Sequence, residues 1–282
     1  MKWSVFLMTL VFLLGLLAGC GNPVPVAQVA ATTLPVYQFT ATLCQGTGIT
    51  VTRLVTESVS CLHDYSLNVE QVKALEGAQV VVLSGGGLED FLVDLPVTVS
   101  AQIDSSAGIS LIGCDHHHDH GHDHEADAHF WLAPENAMIM ATNICKGLTA
   151  QFPEHSKTFE KNLQTLHSEL QALQIYGESQ LKNLACRELI TFHDGFSYLA
   201  HAFDLTILEA IEEESGSEAS AQELKRLVGL VEQHKLPAIF TEANGSTSAA
   251  NIIAAETGAK LYTLDMAMAG EDYFAAMYHN ID

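Results

Sequence analysis

Short apolar runs alternate with stretches of helical periodicity along the chain from residue 26 onward. The apolar runs predict strands at residues 26–31, 49–55, 79–83, 188–192, 205–208, 238–241 and 260–264. Helical patterns lie at residues 36–43, 68–77, 134–148, 221–234 and 247–257. Pro35 suits the first turn of its helix, and Asn68 with Gln71 has the spacing of a capping box. Strands that alternate with helices in this way predict an α/β fold built on parallel sheets.

A longer helical pattern separates the two halves of the chain. Its apolar positions recur at helical spacing and form one stripe, made of Phe159, Leu163, Leu166, Leu170, Leu173 and Leu181. As a single helix, residues 153–184 would span roughly 45 Å. We therefore expect two α/β lobes with central parallel sheets, at residues 28–150 and 186–282, joined by one rigid linker helix within residues 151–185. The last helix reaches residue 282 and is expected to be short.

The first residues have the pattern of a bacterial lipoprotein signal peptide. Lys2 precedes an apolar run at residues 5–17 that is too short for a permanent membrane span. Leu17-Ala18-Gly19-Cys20 then resembles a lipobox, whose cysteine is acylated and becomes the mature N-terminus. We expect a signal peptide at residues 1–19, a tether at residues 20–27, and a protein held outside the cytoplasm by lipid on Cys20. An ordinary secretory signal with an unrelated cysteine is the alternative.

The charge balance excludes some partners. The chain has 12 Lys and Arg against 34 Asp and Glu, and protonating all 14 histidines would raise the net charge of −22 only to −8. Such a surface repels phosphate backbones, so nucleic-acid binding is disfavoured, whereas metal cations suit it. Plain solubility is the other interpretation of the charge. The run Ser84-Gly85-Gly86-Gly87 follows a strand without a subsequent Gly-Lys-Ser, which favours a tight turn over a phosphate cradle.

Five cysteines remain after the signal peptide, and none of them forms a Cys-x-x-Cys pair: Cys44, Cys61, Cys114, Cys145 and Cys186. This spacing argues against a thiolate zinc knuckle. Outside the cytoplasm some of them can pair, although an odd number leaves at least one free thiol. The sequence does not define the pairing.

Four candidate metal ligands follow strands or open a helix, where parallel α/β sheets place their ligands. They are His63, His129, His193 and Asp265, and each lobe supplies two. Three imidazoles and a carboxylate suit tetrahedral Zn²⁺. Each residue taken alone has an ordinary interpretation: a lone turn histidine is usually a surface or capping group, and Asp265 can cap a helix. The prediction depends on their shared topological position.

The residues around these positions resemble the ligand motifs of cluster A-I solute-binding proteins, which deliver zinc or manganese to bacterial ABC transporters. The likeness runs from about residue 27 to the C-terminus. Its motifs are His63-Asp64-Tyr65, residues 127–134, residues 192–196, and Leu264-Asp265, with similar residues at 239–242 and 257–259.

This resemblance implies a zinc site in the cleft between the lobes, held by the four candidate ligands, and handover of zinc to a membrane permease. Water is the alternative to Asp265 as the fourth ligand. Manganese members tend to have a carboxylate in the position of His193, so the imidazole there favours zinc. The chain departs from the family at Ser66-Leu67, Ala128 and Ala133. These changes affect the stiffness of loops rather than the identity of the ligands.

A run of histidine and aspartate at residues 115–127 precedes the second motif. It contains six histidines within nine positions: His116, His117, His118, His120, His122 and His124. The run has too few apolar residues to pack, so we expect a disordered loop that binds several ions weakly and feeds or gauges the tight site. A merely solvated charge run is the alternative.

Other functions for a zinc site remain open at this point. A manganese-binding homologue, a metal-storage or adhesion lipoprotein and a zinc hydrolase are the alternatives to zinc import. Catalytic zinc needs an open coordination position and a general base, and the chain has no His-Glu-x-x-His motif. Glu242 is a conceivable base, but its place after an apolar strand favours a role in supporting the ligands. We therefore expect a transport protein and not an enzyme.

Overall fold

Four parallel strands form the N-terminal sheet in the computed structural model of the chain, which describes residues 27–57, 62, 65–92, 101–113, 127–212, 219–243 and 245–282. Their order across the sheet is β2-β1-β3-β4, with β1 at Val29–Ala31, β2 at Val51–Arg53, β3 at Val80–Leu83 and β4 at Gln102–Asp104. Helices α1 (Leu34–Leu43), α2 (Val69–Gly77) and α3 (Pro134–Gln151) belong to the same lobe.

Two helix starts follow the local chemistry that the sequence predicts. Pro35 lies in the first turn of α1, where its missing N–H group costs no hydrogen bond. The side chain of Asn68 accepts from the backbone of Gln71, and the side chain of Gln71 accepts from the backbone of Asn68. This capping box satisfies donors that the helix itself leaves unpaired.

A carboxylate fills the glycine run after β3. The buried side chain of Glu89 accepts from the backbone N–H groups of Ser84 (2.7 Å) and Gly85 (3.0 Å) and from the hydroxyl of Thr32 (2.6 Å). Gly85 has a φ of 91°, a conformation that residues with a side chain rarely adopt. Burial raises the pKa of Glu89, whereas these three donors act in the opposite direction. The glycine run is thus a turn whose backbone binds the carboxylate of the nearby Glu89.

Helix α4 (Ser156–Leu181) links the lobes and is preceded by a short 3-10 turn at Pro153–His155. Its 26 residues correspond to roughly 39 Å at the usual rise per residue. Phe159, Leu166, Leu170 and Leu173 are fully buried, which confirms the predicted apolar stripe. A search of the described helices for a long apolar segment that could cross a membrane finds none.

The C-terminal lobe contains two parallel strand pairs, β5 with β6 and β7 with β8, and β5 lies beside β7. The strands are β5 (Glu188–His193), β6 (Thr206–Glu212), β7 (Ala238–Glu242) and β8 (Lys260–Leu264). The helices are α5 (Ser197–Ala202), α6 (Ala221–His234), α7 (Ser248–Thr257) and α8 (Tyr273–Ile281). Two lobes with parallel sheets and a long connecting helix are the architecture that the sequence predicts. The short elements α5 and β4 were not predicted.

The main core crosses the boundary between the lobes. Side chains of α1, α3 and α4 pack in one cluster with Leu264, Met266, Tyr273, Met277 and Ile281 from the end of the chain. A second cluster fills the C-terminal lobe around Ile190, Leu227 and Ile239. The segment after β8 therefore returns to the N-terminal lobe and packs there.

Cys44, Cys145 and Cys186 have free thiols. Burial raises the pKa of Cys44 to about 12, so this thiol stays protonated and is a poor nucleophile or metal ligand. Cys61 and Cys114 lie outside the described residues.

Candidate metal centre

His129 is held by a carboxylate two residues before it. Nδ1 of His129 lies 2.8 Å from Oδ1 of Asp127, and the same oxygen accepts the backbone N–H of His129 at 2.8 Å. A carboxylate only accepts hydrogen bonds, so the proton of a neutral ring lies on Nδ1 and the lone pair on Nε2. Nε2 is buried and has no hydrogen-bond partner among the residues that the structure describes. An oriented imidazole with a buried, unused lone pair fits a metal ligand whose other nitrogen is fixed by a carboxylate.

His193 meets His129 at the junction of the lobes. The two ring centroids are 5.8 Å apart, the planes are nearly perpendicular, and the residues are 7% (His129) and 6% (His193) exposed. His193 is the last residue of β5, so the strand itself places the ring at the carboxyl edge of the sheet. The structure thus brings together two of the four candidate ligands that the sequence analysis names.

Gly195 permits the close approach of the two lobes. A Cβ atom there would lie 2.9 Å from Nδ1 of His129 and 2.5 Å from Cε of Met266, closer than real Cβ contacts occur. The turn after His193 thus fits against both the N-terminal histidine and the residue that follows Asp265. Any side chain at position 195 would push these groups apart.

Asp265 leaves the end of β8 in a tight turn. Its Oδ1 accepts the backbone N–H of Ala267 at 2.7 Å, and Ala267 has a φ of 52°, in the left-handed region. The Asp265 side chain is partly buried. The carboxylate of Asp265 thus takes part in the turn that follows β8.

Two hydrogen bonds across the lobe junction flank His129. Nε1 of Trp131 donates to the carbonyl of Met266 at 2.7 Å. The hydroxyl of Tyr198, on α5, donates to the carbonyl of Asp127 at 2.9 Å and accepts the backbone N–H of Ile112 at 2.8 Å. Residues two positions before and two positions after His129 are therefore bonded to the C-terminal lobe, and the ring lies between them.

Glu242 ends β7 directly beside β8, in register with Leu264. It is 3% exposed. This places a buried acidic residue one position along the ladder from Asp265, in keeping with the supporting role that the sequence predicts for it.

Several predicted residues lie outside the described part of the chain. They are His63, the accessory histidines His116, His117, His118, His120, His122 and His124, and Cys20. Among the residues that are described, no three His, Cys, Asp or Glu side chains come together as a metal-binding group. The described part of the site consists of the His129–His193 pair and the nearby turn of Asp265.

The sequence analysis missed the residues that support the ligands. Asp127 belongs to the quoted motif, but its contact with the ring of His129 was not predicted. Tyr198 and Asn280 lie 71 residues and 15 residues from the groups that they bind, namely the carbonyl of Asp127 and the backbone of Asp265. The sequence has no local signal for either contact.

Comparison with known proteins identifies one family. The model of the zinc-uptake complex component A, periplasmic (ZnuA), matches residues 29–282. The chain is 28% identical over 273 residues to the zinc-binding lipoprotein AdcA of Streptococcus pneumoniae, an alignment that covers 90% of this chain and 54% of that relative. The chain thus spans about half the length of AdcA.

Two further relatives match over nearly their whole length. The high-affinity zinc uptake system protein ZnuA of Bacillus subtilis is 28% identical over 285 residues, covering 94% of this chain and 88% of that protein. A crystal structure of ZnuA superposes with a TM-score of 0.76 at 30% identity, covering 90% of this chain and 97% of that one. Both the sequence and the arrangement of the lobes are therefore similar to ZnuA.

Proposed function

Since this chain belongs to the zinc-uptake complex component A family of periplasmic proteins, we propose that it is the zinc-binding component of a metal importer. The observation that supports this most directly is the Asp127–His129 pair. Its buried Nε2 atom lies unused beside the ring of His193. Its similarity to AdcA, a zinc-binding lipoprotein, and to ZnuA, a high-affinity zinc uptake protein, agrees with this assignment.

Binding begins with the loss of protons and water. Zinc takes the lone pair of Nε2 in His129 and one nitrogen of His193, while the Asp265 carboxylate supplies an oxygen and negative charge. The likeness to the family adds His63 as the third imidazole. The carboxylate of Asp127 continues to accept the Nδ1–H of His129, and so it holds the ring in the orientation that binding requires.

The donor set selects zinc over manganese. Imidazole nitrogen suits borderline-soft Zn²⁺, whereas Mn²⁺ prefers sites that are richer in oxygen. The lobes are also tied by the bonds of Trp131 and Tyr198, so release involves small tilting about the linker helix rather than wide opening. A membrane permease of the ABC type accepts the ion from the loaded protein.

Delivery places the protein at the outer side of a membrane. In this proposal acylated Cys20 anchors the chain to the lipid bilayer, and the tether at residues 20–27 leaves the lobes free to reach the permease. The histidine run at residues 115–127 collects zinc weakly and passes it to the site, since its base ends two residues before His129.

Calorimetric titration with zinc and with manganese tests this function. We expect one tight zinc site in the chain that lacks residues 115–126, with weaker binding of manganese. His193→Ala should abolish tight binding, because each of four ligands contributes about 3 kcal/mol, or roughly 100-fold. His234→Ala is the matched control, since this histidine pairs with Glu188 on the far side of the lobe.

Three outcomes would contradict the proposal. Unchanged tight binding in His193→Ala would remove the site from the lobe junction. Loss of all zinc binding together with residues 115–126 would favour metal storage by the histidine run. Zinc-dependent hydrolysis of ester or peptide substrates that His193→Ala abolishes would favour an enzyme.

A further inference from the structure

We infer that Asn280 is a positioning residue for Asp265, and that it fixes this carboxylate relative to His129. The inference rests on the proposed function, because it assumes that Asp265 binds zinc. Asn280 lies in the last turn of α8, 15 residues after the carboxylate that it holds.

The side-chain amide of Asn280 makes two hydrogen bonds to the backbone of Asp265. Its Oδ1 accepts the N–H of Asp265 at 2.7 Å, and its Nδ2 donates to the carbonyl of Asp265 at 2.7 Å. Two bonds of opposite direction to one residue fix both of its flanking peptide planes. Only a side chain with a donor and an acceptor on one rigid group can make both, so an asparagine is suited to the task.

The turn after β8 needs this support. The pairing of β8 with β7 ends at Leu264, one residue before Asp265, and the chain passes through the left-handed conformation at Ala267. Such a conformation costs free energy for a residue with a side chain and persists only when its surroundings impose it. Asn280 satisfies the backbone of Asp265 at the start of the turn, while the Asp265 carboxylate itself caps Ala267.

Helix α8 also contacts the part of the N-terminal lobe that contains His129. Tyr273 of α8 packs edge-on against Phe39 of α1, with ring centroids 5.0 Å apart, and its hydroxyl donates to the carbonyl of Trp131 at 2.7 Å. Trp131 in turn donates to the carbonyl of Met266. Asp265 is therefore connected to Trp131 in two ways: through Asn280 and Tyr273 of α8, and through the next residue, Met266. Trp131 lies two residues after His129.

The consequence is a preformed half-site. The position of Asp265 relative to His129 is set by α8 and the N-terminal core together with β8, to which Asp265 is joined. Ligands that are held in place before the metal arrives lose less entropy on binding, so loosening them lowers affinity without removing a ligand.

A double-mutant cycle tests the inference in the full chain. We expect Asn280→Ala to raise the zinc Kd by about 10- to 100-fold, measured by competition with a chelator. In the background of Asp265→Ala the same substitution should change the Kd by less than about 2-fold, since its effect acts through that carboxylate. Asn280→Asp, which keeps the acceptor and replaces the donor, provides a second test if the alanine variant fails to fold.

If Asn280 only anchored helix α8, loosening the helix at another residue would weaken zinc binding equally. His279 precedes Asn280, and its Nε2 contacts the carbonyl of Thr263 at 3.0 Å, so His279→Ala loosens α8 from β8 without touching Asp265. We expect this control to keep the zinc Kd within about 2-fold of the parent, although the apoprotein melts earlier. Equal losses of affinity in His279→Ala and Asn280→Ala would overturn the inference.

The outcomes separate this inference from the proposed function. Additive effects of Asn280→Ala and Asp265→Ala on the Kd, or no effect of Asn280→Ala or Asn280→Asp, would refute the role of Asn280 and leave zinc binding intact. If Asp265→Ala itself leaves the Kd unchanged, the fourth ligand of the proposed function is wrong. If the parent chain shows no tight zinc site, the proposed function itself fails.

Discussion

At the scale of single residues, the Asp127 carboxylate decides which nitrogen of His129 can meet a metal. Its Oδ1 atom receives both the backbone N–H and the Nδ1 atom of residue 129, so ring orientation and proton position are fixed together. Negative charge on this oxygen also makes the opposite nitrogen a better electron donor to a metal ion. The buried pair therefore has a chemical effect on the site in addition to its packing.

Asp127→Asn should weaken zinc binding by about 10- to 100-fold with little change in the fold of the apoprotein. An asparagine oxygen can still accept from the ring, but the charge that strengthens the ligand and attracts the cation is gone. Competition with a chelator measures the effect. Asp104→Asn is the control of equal charge, because Asp104 is exposed and its Oδ1 accepts from the backbone and the hydroxyl of Ser106 in the turn after β4. Equal Kd values for the two variants would show that the carboxylate is dispensable.

Part of the site was predictable and part was not, for physical reasons. Strand ends can be inferred from apolar runs, so the convergence of His129 and His193 followed from topology. The supports of these ligands could not be inferred, because a contact such as Asn280 with Asp265 depends on how the terminal helix packs. The capping box at Asn68 shows the contrast, since its partners are three residues apart and their geometry is local.

At the scale of elements, helix α5 clamps the base of the histidine run. The hydroxyl of Tyr198 joins the backbone of Ile112 to that of Asp127, which lie on opposite sides of residues 113–126. Asp127 N–H also donates to the carbonyl of Ile112 at 2.9 Å. Ile112 and Asp127 thus lie side by side, next to the carboxylate that orients His129.

Tyr198→Phe should destabilise the protein by about 1–3 kcal/mol, since it leaves a partly buried N–H and a buried carbonyl without this partner. Urea unfolding of the apoprotein gives the value. Tyr176→Phe is the matched control: its hydroxyl bonds to Asp282 at the surface, where water can replace it. A loss in Tyr198→Phe that is no larger than in the control would contradict the clamp.

A second network joins the end of β2 to the start of α2. The hydroxyl of Tyr65 donates to the Glu57 carboxylate at 2.5 Å, and Nε2 of Gln71 donates to the same carboxylate and to the carbonyl of Leu54. The hydrogen bond from Tyr65 lowers the pKa of Glu57, an effect that the small burial only partly opposes. Residues 54–57 and 65–71 are thereby held together on both sides of the segment that contains His63.

The lowered pKa of Glu57 fixes the sign of a pH effect. A carboxyl group that is more acidic in the folded state stabilises the protein above its ordinary range, and this contribution disappears as pH falls through the folded-state pKa. Glu57→Gln should therefore lower the melting temperature at pH 7, and the difference from the parent should shrink as pH falls below the ordinary carboxyl range. The same scan with Glu169→Gln, an exposed residue of α4, should show no such convergence. A difference that persists at low pH would indicate lost packing.

At the scale of the whole molecule, the lobes share a core and should unfold as one unit. Leu264 and the side chains of α8 pack with α1, α3 and α4, so the C-terminal segment cannot leave without exposing the N-terminal core. The division into residues 28–150 and 186–282 describes the order of elements along the chain, whereas the packing runs across it. Two independent transitions are therefore not expected, although each lobe has its own parallel strands.

Trp131 makes this expectation measurable. The sequence has two tryptophans, Trp3 and Trp131, and only Trp131 remains in a chain of residues 20–282. Its ring is fully buried at the lobe junction, 5.4 Å from the ring of His129. We expect thermal unfolding followed by tryptophan fluorescence to coincide with unfolding followed by far-ultraviolet circular dichroism.

Zinc at 100 times its Kd should stabilise the protein by about 2.7 kcal/mol and raise the melting temperature by roughly 5–11 °C in both signals. His193→Ala should lose this shift while His234→Ala keeps it, because only the first removes a ligand from the junction. Separate transitions in the two signals would show that the lobes unfold independently, and a zinc shift that survives in His193→Ala would place the stabilising ion elsewhere in the chain.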